Sequence, residues 1–91
     1  MKYEEREIIL HYNLLQYRDQ LTGISDRNKT IVEKHVNGAS YTDLGREYGI
    51  SSNRCRQLVM QYITHCSRLI GTGYLHDWRE KHPGGQQKAR T

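Results

Sequence analysis

The stretch Tyr48-Gly49-Ile50-Ser51-Ser52-Asn53-Arg54-Cys55-Arg56-Gln57-Leu58 sets a glycine and a serine ahead of a polar, basic segment whose few apolar residues recur at helical spacing. Gly49 suits the left-handed backbone that closes one helix, and Ser51 suits the cap that opens the next. Two helices joined by a tight turn are therefore expected, a short one over about 41–48 capped by Ser40 and a longer one over about 52–70. Leu44, Tyr48, Ile50, Cys55 and Leu58 are placed to fill the space between them. Gly45 is expected to face the crossing helix, where a larger side chain would hold the two axes apart. Along the longer helix Cys55, Leu58, Val59, Tyr62, Cys66 and Leu69 form an inner stripe.

Upstream, Thr22-Gly23-Ile24-Ser25 interrupts the pattern, and Ser25 caps a helix expected over about 26–37. Ile31, Val32 and Val36 lie on one side of it, with His35 beside them as a packing residue. The first segment, Tyr3 to Leu21, contains no Gly or Pro and predicts one helix of about five turns. Tyr3, Leu10, Leu14, Tyr17 and Leu21 share one stripe, while Ile8, Tyr12 and Leu15 form a second stripe almost opposite. A straight helix with two apolar sides must bury both. Either the helix sits in the middle of its own bundle, or the Ile8, Tyr12, Leu15 side is a partner surface for a second copy or another protein.

Downstream, Gly71-Thr72-Gly73 is a breaker, after which Tyr74, Leu75 and Trp78 are expected to fold back on the domain in one more turn. The sum is an all-α domain, residues 1–82, of about four helices plus a short C-terminal turn or helix. An N-terminal helix over 1–21 precedes a helix-turn-helix unit over 26–70, and a flexible basic tail is expected over 83–91.

Ninety-one residues allow one small domain with a thin core, and little room for the deep pocket most enzymes need. No run approaches the roughly 18 apolar residues of a membrane span, and Met1-Lys2-Tyr3-Glu4-Glu5 lacks the apolar stretch of a secretory signal, so a cytoplasmic protein is expected. Cys55 and Cys66 fall in one helix about 16 Å apart, too far for a disulfide, and read as small buried hydrophobes. No paired Cys or His spacing supports a zinc site from His65, Cys66, His76 and His82, and no cofactor or metal is expected. None of the histidines, cysteines or carboxylates makes a recognisable acid-base pair, nucleophile motif or phosphate loop, so an enzyme is not expected.

Charge is distributed unevenly. The formal net charge is +4. Met1 to Leu21 holds Lys2, Arg6 and Arg18 against Glu4, Glu5, Glu7 and Asp19, whereas Arg27 to Arg56 adds Lys29, Lys34, Arg46 and Arg54 against only Glu33, Asp43 and Glu47. No carboxylate occurs between Glu47 and Asp77, so an anionic partner would meet no repulsion there. The residues left outward on the longer helix are Ser52, Asn53, Arg56 and Gln57, with Met60 and Gln61 one turn on. Arg can pair bidentately with guanine, and Asn or Gln with adenine. Ser40, Thr42, Arg46, Ser51 and Arg54 flank them as expected phosphate contacts.

The run Asn37 to Leu58, NGASYTDLGREYGISSNRCRQL, resembles the helix-turn-helix of the fourth conserved region of bacterial sigma factors, which reads the −35 promoter element. Gly38, Ser40, Tyr41, Leu44, Gly45, Gly49, Ile50, Ser51, Arg54, Arg56 and Gln57 match that pattern, and Arg27 to Val36 resembles the helix before it. Gly45 stands where the family usually has Ala, and Cys55 where it has Val. The chain leaves no space for the region that binds the −10 element, so a free-standing regulator with a sigma-like reading head is expected, in a bacterial or phage-infected cell. The resemblance implies sequence-specific binding of double-stranded DNA, and contact with RNA polymerase, on whose flap that region docks. A protein-interaction module that binds RNA polymerase or a sigma factor with little DNA contact is the alternative. A single such unit offers few base contacts, so a homodimer through the N-terminal helix or a docked partner is expected to complete it.

Overall fold

The computed structural model describes residues 4–81, and these are all-α. Helix α1 spans Glu5–Tyr12 and is followed by a 3-10 segment, Leu14–Gln20; α2 spans Asp26–Val36, α3 Tyr41–Tyr48, α4 Ser52–Ile70 and α5 Gly73–Lys81. Tyr3, His82 and the tail 83–91 lie outside the described residues.

From α2 to α4 the helices begin where single residues can start them. Ser25, Ser40 and Ser51 each have extended backbone, and each Oγ accepts the amide three residues on: Asn28 at 3.2 Å, Asp43 at 3.0 Å and Arg54 at 3.0 Å. A cap of this kind stabilises its helix by about 1 kcal/mol. Gly49 ends α3 in the left-handed region, at φ 71°.

The N-terminal region departs from expectation. A continuous helix over Tyr3 to Leu21 does not form: α1 stops at Tyr12, and Asn13 turns left-handed at φ 53°, ψ 43°. It is the one non-glycine residue with positive φ among the described residues, and Asn is among the side chains that tolerate that region best. The break resolves the problem posed by two opposed stripes. A straight helix cannot turn both towards one core, but two short segments meeting at an angle can. Ile8 and Ile9 before the break and Leu14 and Leu21 after it all enter the same cluster, with Tyr12, Leu15 and Tyr17 half-buried against it.

Ile8, at 2% exposure, together with Tyr12 and Leu15 is thus part of the chain's own packing, which corrects the reading of these three as an outward partner surface. Leu10, placed on the other stripe with Leu14 and Leu21, is 54% exposed. The segment after the break is tied to α4 from inside: the Tyr62 hydroxyl donates to the Leu14 carbonyl at 2.9 Å, and the Cys66 thiol approaches the same oxygen at 3.9 Å. Burial pushes the Cys66 thiol up to about 11, and both cysteines are free and buried.

A second, smaller cluster of Ile31, Leu44, Cys55 and Leu58 lies under α2, α3 and α4, with Tyr48, Ile50 and Ala39 against it. Helix α5 is longer than the single turn expected over Tyr74 to Trp78. It buries Tyr74 and Trp78 on the main cluster, the Tyr74 hydroxyl donates to the Ile63 carbonyl at 2.8 Å, and the Tyr12 hydroxyl donates to Asp77 at 2.6 Å. That docking covers the Ile63 side of α4, so Ile63 is buried although it lies outside the expected stripe. Leu69, expected inside, is 43% exposed in the last turn of α4. No helix among the described residues is long and apolar enough to cross a membrane.

Candidate nucleic-acid interface

The geometry of the turn between α3 and α4 starts at Gly45. A Cβ built there would overlap the Ile50 carbonyl oxygen and come within 3.2 Å of the backbone at Ser51 and Ser52. The Ile50 amide donates to the Gly45 carbonyl at 2.9 Å, so the turn folds directly onto the end of α3. Gly45 is therefore required by the turn's own backbone and the first residue of α4, a tighter reason than clearance between two helix axes. Leu44, Cys55 and Leu58 are buried beneath the turn, and Tyr48 and Ile50 close its sides.

Burial of Cys55, Leu58, Val59, Tyr62, Ile63 and Cys66 fixes which side of α4 faces in. At 100° per residue the opposite side carries Asn53, Gln57, Met60, Gln61, Thr64 and Arg68, all exposed. Ser52 is exposed at the tip of the helix. Asn53 and Gln57 thus lie where the sequence puts them, and the strip continues through Gln61 and Thr64. Arg54 is exposed and donates to the Gln57 side-chain carbonyl at 3.3 Å, which links the flank of the face to its centre.

Arg56 lies elsewhere. It sits on the flank of α4, a quarter-turn from the outward strip, and its Nη2 is 3.4 Å from Oε2 of Glu5 on α1. Glu5 is only 8% exposed, and its other oxygen accepts the Tyr41 hydroxyl of α3 at 2.9 Å. Burial first, and then the Glu5 carboxylate, hold the Tyr41 hydroxyl well above the usual tyrosine range. Three helices meet at one carboxylate there, and the expectation of Arg56 as a base-edge residue beside Asn53 and Gln57 gives way to an ion pair. The reason is non-local, since Glu5 reads in sequence only as one of several surface acids at the start of a helix.

The expected phosphate contacts lie on α3, at its cap, and in the first turn of α4. Ser40 and Ser51 accept cap bonds through Oγ, which leaves each hydroxyl proton free to donate. Thr42 and Arg46 are exposed on α3, Arg46 within 3.7 Å of Asp43. Glu47 pairs with Lys34, whose ammonium lies 5.2 Å from the centre of the Tyr48 ring; the hydrogen bond to Glu47 raises the lysine's pKa. Both carboxylates of α3 are thus accompanied by a cation, and the first turn of α4 contains none. Arg27, outside the expected set, is exposed in the first turn of α2, and its charge opposes the rise that burial gives the Cys55 thiol.

His35 lies away from the α4 strip, in the α2 to α3 packing. It stacks on Tyr41 with ring centres 4.3 Å apart, and its Nδ1 lies 3.0 Å from the Ala39 carbonyl. Among the described residues no three His, Cys, Asp or Glu side chains gather as metal ligands. Two open grooves, of about 260 and 390 Å³, are lined by Gln20, Leu21, Thr22, His65, Arg68 and Leu69 and by Glu7, Leu10, His11 and Trp78. Asn53, Gln57 and Gln61 line neither.

No family model, curated protein or solved structure matches the chain.

Proposed function

We propose that the chain is a sequence-specific, double-stranded DNA-binding regulator of transcription that lays the outward face of α4 in the major groove. The observation that carries this reading is the strip Asn53, Gln57 and Gln61, one helical turn apart and exposed, on a helix entered through a three-residue turn. Side-chain amides at that spacing suit adenine edges on successive base pairs, and Met60 and Thr64 beside them offer apolar contact to thymine methyls. Ser40, Thr42, Arg46, Ser51 and Arg54, joined by Arg27, supply the phosphate contacts that set register. The resemblance of Asn37 to Leu58 to the sigma factor reading head, and a function in the cytoplasm of a bacterial or phage-infected cell, agree with this reading.

Arg56 is not part of the proposed base-reading set, because Glu5 occupies it. The rival, a module that binds RNA polymerase or a sigma factor, drew on the apolar side formed by Ile8, Tyr12 and Leu15. With those residues packed on the core, that support is lost. The test is equilibrium binding to a preferred duplex: Asn53→Ala and Gln57→Ala each weaken it by about 1 to 3 kcal/mol and relax preference at the bases they meet. Equal affinity of both variants and the parent for that duplex contradicts direct readout.

A further inference from the structure

The Glu5–Arg56 pair stands outside the reading surface yet joins it to α1. Glu5 is 8% exposed, and both of its oxygens are engaged, Oε1 by the Tyr41 hydroxyl at 2.9 Å and Oε2 by Arg56 at 3.4 Å. Arg56 itself is at the rim, its side chain 36% exposed and its Nη2 within ion-pair distance of the carboxylate. The groups facing the guanidinium from the packed elements are Glu5 on α1 and Tyr41 on α3. Glu4 at the start of α1 is near enough to act on the Tyr41 hydroxyl.

A phosphate oxygen and a carboxylate oxygen compete for the same guanidinium donors. For Arg56 to turn to DNA it must leave a carboxylate that is nearly buried, and a buried charge stripped of its partner is strongly disfavoured. The arginine nearest the reading strip on the α1 side is therefore withheld.

We propose that Glu5 is an internal stand-in for a DNA phosphate: it sequesters Arg56 from the backbone of bound DNA and thereby makes α1 a brake on the affinity of α4. The proposal rests on the DNA-binding reading above. It adds a regulatory residue to that site: any displacement of α1 from α3 frees one further cationic contact. Sequence preference, set by Asn53, Gln57 and Gln61, is left as it was, because a phosphate contact tightens binding to all sequences alike.

The experiment measures affinity of the full chain for a mixed-sequence duplex across a salt series, in the wild type, Glu5→Gln, Arg56→Ala and the double variant. Gln at position 5 still accepts the Tyr41 hydrogen bond but no longer holds the guanidinium by charge. Glu5→Gln is expected to bind several-fold tighter at low salt, with the slope of log K against log salt steeper by about 0.9, one added phosphate contact. Arg56→Ala leaves the wild-type slope unchanged and abolishes the gain in the double variant. A shallower slope for Arg56→Ala alone, or an unchanged slope for Glu5→Gln, overturns the brake while leaving DNA binding intact. Should Glu5→Gln lose its helical circular dichroism, a shallower slope for Arg56→Ala still overturns the brake. Absence of duplex binding in all four proteins overturns the DNA reading and the brake with it, whereas binding by Glu5→Gln alone supports both.

Discussion

Residues 25–70 and residues 4–21 are both helical and both contribute to one core, yet they are specified in different ways. In the first region each helix starts at a serine whose hydroxyl takes an amide three residues on, and α3 stops at a glycine in the left-handed region. In the second, the decisive event is a left-handed asparagine in the middle of an apolar, helix-compatible run. What stabilises that break is Tyr62, on a helix far away in the chain, bonding the Leu14 carbonyl just after it. Caps and turn glycines are local chemistry. A break imposed by the shape of a core is not.

The sharpest way to break the locally specified region is at its turn. Gly45→Ala drives a Cβ into the Ile50 carbonyl and is expected to destabilise the domain by about 1 to 3 kcal/mol or more, since backbone rather than a flexible side chain must yield. A thermal melt followed by circular dichroism checks this, with a fall of about 4 to 8 °C for each kcal/mol in a domain of this size. An unchanged midpoint would mean that the turn has slack.

Next in size is the tie that specifies the other region. Tyr62→Phe removes the shorter of the two buried side-chain bonds to the Leu14 carbonyl, leaving the weak Cys66 thiol contact, and is expected to cost about 1 to 3 kcal/mol. Hydrogen exchange should show the loss concentrated in residues 14–20, while amides of α3 keep their protection. Uniform loss across both regions would contradict the division drawn between them.

Asn13 gives a smaller effect, and one that depends on the replacement. Asn13→Ala places an ordinary Cβ in the left-handed region and is expected to cost about 1 kcal/mol, whereas Asn13→Gly is expected to be neutral, because glycine accepts φ 53° freely. Chemical denaturation of the two variants side by side measures the difference. If Ala is as stable as Gly, the chain prefers the straight helix that the apolar run suggests.

The smallest effect is that of pH on the seam between α1 and α5. The Tyr12 hydroxyl, reinforced by Lys81, holds the Asp77 carboxyl below its ordinary range, so this contact adds stability above about pH 4 that is lost as pH falls through the lowered value. On the alkaline side burial and then Asp77 push Tyr12 up to about 12. Its contribution is complete below about pH 10 and lost as pH rises towards 12. Melting midpoints of the wild type and Tyr12→Phe, compared from pH 7 downward, should converge at low pH. A constant gap between them would place the stabilisation elsewhere.

The same contrast describes what could be read from the chain. Ser25, Ser40, Gly49 and Ser51 announce α2, α3 and α4, and the stripe through Cys55, Leu58, Val59, Tyr62 and Cys66 implies that Asn53 and Gln57 face out. Three features were not legible, all for one reason. Arg56 is paired by Glu5, Ile63 is buried because α5 packs against it, and Ile8 turns inward because the chain bends at Asn13. Each depends on an element remote in sequence, and no local periodicity carries that information.

The outward strip of α4 is proposed to read DNA. Selection of bound duplexes from a random pool, carried out in parallel with the wild type and an Asn53→Ala, Gln57→Ala double variant, tests it most directly. A defined motif is expected for the wild type and loss or degeneration of that motif for the variant, with weak sequence-independent binding retained. A pool without enrichment for the wild type, or the same motif recovered by both proteins, would contradict it.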